Sequence, residues 1–174
     1  MKKIIIFTLI IVSLILTACD NSKDSGKVKS DTGAVNIKYS KAGLLKVSTD
    51  TGYISLEKTD ADNTELRSDT GYIKLYSGNL GEVSAKTDTG LIKFDGTEVN
   101  SLEAKSDTGS ISAKLVGIKE EYSLDLSNDL GVIIVDGKSS KGSIFNGKYN
   151  EDRGDRQIRM SVDTGKINVS FLGR

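Results

Sequence analysis

The chain contains no histidine, no proline and no tryptophan, and only one cysteine among 174 residues. Without histidine there is no histidine-based catalytic triad and no imidazole metal ligand. A single thiol allows no disulfide within the chain, so stability must come from packing and hydrogen bonds. Aromatic residues make up 6%, and no segment carries helical periodicity. Charge of one sign is missing as well: 24 basic residues face 24 acidic ones, which argues against a nucleic-acid partner.

What is present begins with a short apolar front. Lys2 and Lys3 precede an almost unbroken apolar run from Ile4 to Leu16. That run is too short to cross a hydrocarbon core of about 30 Å comfortably as a permanent helix. It ends at Leu16-Thr17-Ala18-Cys19, which resembles the lipobox cut by lipoprotein signal peptidase. The expectation is a signal peptide over residues 1–18, acylation of Cys19 (diacylglycerol and palmitate), and a flexible tether over 19–29. An uncleaved signal anchor is the alternative. Two acyl chains anchor durably where one is marginal. A tether of this length reaches about 35 Å at most, so the domain over 30–174 would stay near the membrane. Loss of Lys2 and Lys3 leaves 24 − 2 = 22 basic residues against 24 acidic ones, a charge near −2 with no polybasic run for anionic lipid. The Lys- and Ile-rich leader suggests a Gram-positive source, with the anchor in the outer leaflet. In a Gram-negative cell, Asp20 would favour inner-membrane retention.

Self-comparison decides the architecture. Ser/Thr-Asp-Thr-Gly recurs with glycines at Gly33, Gly52, Gly71, Gly90 and Gly109, a constant period of 52 − 33 = 19. Two further copies, at Gly131 and Gly165, follow at the longer intervals 131 − 109 = 22 and 165 − 131 = 34. Apolar residues sit two and four positions after each glycine, as in Ile54 and Leu56 or Ile92 and Phe94. A second alternating stretch precedes the next aspartate, as in Leu45 and Val47 or Leu102 and Ala104. One more apolar residue recurs nine positions after the glycine: Ala42, Ala61, Leu80, Val99 and Ile118. Period-two alternation marks half-buried strands, and a unit this small cannot bury its apolar face alone. The expected fold is an all-β, single-domain parallel β-solenoid of 19-residue coils stacked about 4.8 Å apart. An antiparallel β meander or sandwich is the alternative.

The repeated tetrapeptide defines the candidate site residues. Asp31, Asp50, Asp69, Asp88, Asp107, Asp129 and Asp163 would form one column at a turn. Aspartate there can accept backbone N–H bonds as an Asx-turn, and Gly33, Gly52, Gly71, Gly90, Gly109, Gly131 and Gly165 supply positive φ. Thr49, Ser68, Thr87, Ser106 and Asn128 would point inward, able to hydrogen-bond up the stack. Stacked carboxylates repel by about 1 kcal/mol per neighbour in water, and Arg67, Lys86 and Lys105 would offset that from the same strand face. Asp-Thr-Gly is also the aspartic-protease tripeptide, but six structural repeats of it do not make one proton-sharing pair. The reading is therefore a non-enzyme without cofactor or metal, calcium at the aspartate column being the lesser alternative. Tyr53, Tyr72 and Leu91 form a candidate binding stripe whose plainer role is cross-strand packing. Lys138 to Arg159 breaks the period, and its polar part, Lys148 to Arg156, reads as an exposed loop, either a specificity element or, with more weight, an end cap.

The Ser/Thr-Asp-Thr-Gly-x-Ile-x-Leu repeat over Lys29 to Arg174 resembles a family of bacterial β-strand-repeat cell-envelope proteins described as adhesins. The resemblance implies a membrane-anchored binding or scaffold domain with no catalytic residues. Its partner would be cell wall, a host surface or a membrane protein. Some relatives act in envelope-stress or antimicrobial-peptide responses, which implies, as a second function, an accessory acting through a membrane-protein partner.

Overall fold

A computed structural model describes residues 4–7, 12–13, 25–139 and 145–173. The strands are β1 (Ile4–Phe7), β2 (Val12–Ser13), β3 (Ser25–Lys38), β4 (Lys41–Glu57), β5 (Asp60–Leu115), β6 (Tyr122–Val135), β7 (Lys138–Ser139), β8 (Phe145–Glu151) and β9 (Arg156–Phe171). A 3-10 turn, Lys119–Glu121, precedes β6, and no α-helix occurs among the described residues. The long strands are coils that turn corners without losing their hydrogen bonds; β5 alone winds through three.

Stacking is parallel and follows the repeat. Val47 pairs with Val28 below it and with Leu66 above it, and Tyr53 with Ala34 and Tyr72. This is the solenoid expected from the sequence, and the parallel register excludes the antiparallel meander. The buried apolar side chains run from Val28 to Val169 and form one continuous core. Inward positions before each corner (Leu45, Val47, Leu102, Ala104) and after it (Ile54, Leu56, Ile92, Phe94) are sealed from solvent. Alternation along each strand thus becomes columns along the stack, and each column is buried by its copies.

Chain order and stacking order differ at one place. β9 lies between β5 and β6, pairing in parallel with both, so the last coil in sequence is the sixth in the stack. Gly165 pairs with Gly109 on one side and with Gly131 on the other. This accounts for the two irregular spacings. Between Gly109 and Gly131 the chain must climb two layers rather than one, and it spends 22 − 19 = 3 extra residues doing so. Ile118 lies on that climb and is 48% exposed, so the ninth-position anchor fails there; the wholly buried Tyr122 fills the interior instead.

Lys148 to Arg156, expected as a loop, is largely a strand and its exit. β8 pairs antiparallel with β6, from Leu124 opposite Glu151 to Leu130 opposite Phe145. The terminal coil offers unpaired backbone groups, and β8 takes them up. At the other end, β1 and β2 lie parallel on β3, with Ile4 opposite Gly26 and Val12 opposite Val35. They belong to the apolar front of the chain. Cys19 lies outside the described residues, as do residues 20–24 of the tether.

Candidate functional site

The Asp-Thr-Gly corner is built around its glycines. Gly52, Gly71, Gly90, Gly109, Gly165 and Gly131 take φ between 144° and 151°, conformations side chains rarely adopt. Each also lies against the glycine of the coil below. A Cβ on Gly71 would strike the carbonyl oxygen of Gly52, and one on Gly90 that of Gly71. Glycine is required twice over, by φ and by the close approach of one backbone to the next.

Beside this column run Ser30, Thr49, Ser68, Thr87, Ser106 and Asn128, all buried as expected. They do not hydrogen-bond up the stack. Ser30 Oγ donates to Thr32 O at 3.1 Å and Thr49 Oγ1 to Thr51 O at 3.3 Å, bonds local to the corner. Among the described residues, the hydroxyls of Ser68, Thr87 and Ser106 have no partner. Equivalent atoms in adjacent coils lie about 4.8 Å apart, beyond hydrogen-bond reach, so space rather than bonding selects a small residue.

The aspartate column faces solvent, with Asp69 alone partly covered. The partners it finds are cations: Arg67 Nε donates to Asp69 Oδ1 at 3.1 Å, and Lys29 lies 3.9 Å from Asp31. Lys86 and Lys105 make no ion pair among the described residues. There, too, no three His, Cys, Asp or Glu side chains converge as a metal site would require. The column is a line of separate carboxylates, each facing its own turn.

Tyr53 and Tyr72 stack with ring centroids 5.3 Å apart and planes 5° from parallel. Leu91 continues the stripe, and all three are half-buried. The arrangement meets the packing role: the two rings cover each other's faces.

Two features escaped the sequence reading. The first is a shallow groove of about 460 Å³ on the strand face before the corner. Lys27, Lys46, Arg67 and Lys86 line it with Glu65, and the core residues Val28, Val47 and Leu66 lie behind them. Successive cations lie a full coil or more apart along the chain, so nothing in a local window unites them. Lys46 pairs with Glu65 at 2.7 Å, while Lys27 and Lys86 form no ion pair among the described residues.

The second is a polar clamp at the β9 end. Arg156 reaches Glu98 at 2.7 Å, Glu121 at 3.8 Å and the Tyr122 hydroxyl at 3.0 Å, tying β9 to β5, the 3-10 turn and β6. The Glu98 hydrogen bond, above all, raises the Arg156 pKa; burial raises that of Tyr122, which Arg156 opposes. Nearby, Lys119 lies 2.6 Å from Glu151 and 2.8 Å from the Tyr149 hydroxyl, which itself donates to Glu151. Hydrogen bonds from Lys119, then Tyr149, lower the Glu151 pKa. Ser123 Oγ donates to Gly154 O at 2.7 Å and accepts from Arg153 N at 3.2 Å, fastening the exit from β8.

A parallel β-solenoid with a Gly-centred corner in every coil, closed at one end by an antiparallel strand, defines the class of protein. A family model described as Toastrack DUF4097 matches residues 21–170, and the chain belongs to that family. No curated protein and no solved structure matches it. The resemblance drawn from the repeat therefore holds for the β-repeat domain itself.

Proposed function

We propose that this Toastrack protein is a membrane-anchored surface lipoprotein whose solenoid serves as a non-enzymatic binding or scaffold domain. One observation carries the non-enzymatic reading. The acidic residues that could suggest chemistry recur as single carboxylates along one exposed corner, whereas acid–base catalysis needs groups facing a common substrate position. The anchoring reading rests on the leader and on Leu16-Thr17-Ala18-Cys19. A flexible tether of at most about 35 Å would keep the first coil near the membrane. The solenoid's rigid, repetitive surface suits recognition of an equally repetitive partner, in keeping with adhesion to wall or host surfaces.

The test is metabolic labelling with radioactive palmitate in cells producing the full chain. Label should enter the wild type, be absent from Cys19→Ala, and give a larger unprocessed species when lipoprotein signal peptidase is inhibited. Label retained in Cys19→Ala would sink the lipoprotein reading.

A further inference from the structure

We infer that the groove across the first four coils binds a linear, phosphodiester-linked polyanion, laid along the stack axis. This deepens the binding reading above and rests on it for the setting, though not for the groove.

The groove stands out from the rest of the molecule in charge. The chain is neutral overall, yet the groove carries four cations and one carboxylate, a local charge of 4 − 1 = +3. Stacking assembles it. Lys27 lies beside Lys46 in register, Lys46 beside Glu65, and Ser48 beside Arg67. Coil by coil the cations are Lys27 and Lys46 in one outward column, then Arg67 and Lys86 two residues further along the strand, a diagonal band that rises three coil steps, about 14 Å along the axis. It runs across the strands, so a ligand that uses all four must be extended along the axis. Ser84, also in the lining, adds a hydroxyl donor.

Ligand class follows from the donor set. Ammonium groups, one guanidinium and a hydroxyl are all donors, and a phosphodiester offers two unesterified oxygens for each permanent charge. A chain with one such charge per repeat can answer one cation per coil. On one flank stand Asp50, Asp69 and Asp88, which repel an anion that strays sideways and so keep the chain in the groove. Two of the cations are already paired, Lys46 with Glu65 and Arg67 with Asp69. Lys27 and Lys86 therefore carry most of the attraction, and binding is weak per repeat and strongly salt-dependent.

The experiment uses the full chain in phosphatidylcholine nanodiscs, carrying Cys19→Ala and an environment-sensitive dye on Asn63→Cys, exposed beside the groove but outside its lining. Poly(glycerol phosphate) is titrated in low and physiological salt. The dye signal should shift, and added salt should weaken binding. K27E/K86E should raise Kd by about tenfold or more, at roughly 1 kcal/mol per basic residue. The charge-matched pair K114E/K166E, on the face after the corner, should leave Kd within about twofold. No shift, or equal weakening by both pairs, would overturn the groove as a site. A shift produced by phosphatidylglycerol in the disc, without polymer, would overturn the polymer as its ligand. Failure of the groove with intact palmitate labelling leaves the anchored reading standing; loss of labelling with intact polymer binding does the reverse.

Discussion

The two ends of the stack solve the same problem in different ways. Any interior coil has its backbone groups and apolar columns covered by a copy on each side. A terminal coil has only one neighbour. At the β6 end the chain supplies a dedicated closure: β8 runs antiparallel along the edge, and Gly147 leaves room for the buried Asn128 side chain, which a Cβ there would strike. Ser123, Lys119, Tyr149, Glu151 and Arg153 then fasten it in place. At the β3 end, among the described residues, six residues of β1 and β2 pair with the edge, and both strands lie in the segment that cleavage before Cys19 would remove. Lys27, Lys29 and Lys38 remain on β3, and charged side chains, lysine above all, are a recognised guard against edge-to-edge pairing. After such cleavage, hydrogen bonds would close one end and charge would protect the other. A solenoid's interior is generic, whereas its ends are individually made.

Five substitutions and one double-mutant cycle would break or sharpen that contrast. Gly71→Ala, in an interior coil, meets both a forbidden φ and the backbone of the coil below; it should cost more than about 3 kcal/mol and prevent cooperative folding. Gly137→Ala, at the turn into β7 with open space around it, should cost only about 1 kcal/mol in the same thermal melt. Next comes Arg156→Ala at the closed end. It removes the Glu98 hydrogen bond and frees the start of β9, with an expected loss of about 2 kcal/mol. Hydrogen exchange should speed up in β9 and β6 while β3 and β4 stay protected; uniform acceleration would mean that the clamp is not local.

A smaller effect concerns pH. Glu151 has a lowered pKa in the folded state, so its contribution is present above the ordinary carboxylate pKa and is lost as pH falls through the folded value. Glu151→Gln should destabilise the protein near neutrality and remove part of the acid sensitivity below about pH 4.5. Glu57, paired with Lys38 near the other end, is lowered in the same sense but lies in solvent. Glu57→Gln should leave the acid limb of the melting curve unmoved, and equal effects at both ends would erase the contrast. The smallest effect belongs to the Tyr53–Tyr72 stack, where a double-mutant cycle should return a coupling of about 1 kcal/mol. No measurable coupling would leave the stripe free for a ligand.

Much of this was legible because a solenoid converts sequence period directly into space. Gly33 to Gly109, evenly spaced, name their own neighbours, and alternation such as Ile54 and Leu56 marks the inward faces. The second corner was not legible. Tyr39, Lys58 and Ser77 turn there with φ of 53°, 49° and 54°, conformations that normally call for glycine, and no residue type advertises them. The clamp was equally hidden, since Glu98 and Arg156 are 58 residues apart.

By itself the sequence determined the repeat, the parallel stack, the glycine corner and the inward columns, because each follows from local alternation and a constant period. Only the tertiary structure decided the order of the last coils, the antiparallel cap and the gathering of Lys27, Lys46, Arg67 and Lys86 into one groove. The last two copies of the repeat, which break the period, can be stacked in either order with the same glycine contacts. What chooses between the orders is the covering of the final edge by β8 and the ion pairs of half-buried Arg156 with neighbouring coils. Both are interactions between distant segments, and no local pattern encodes them.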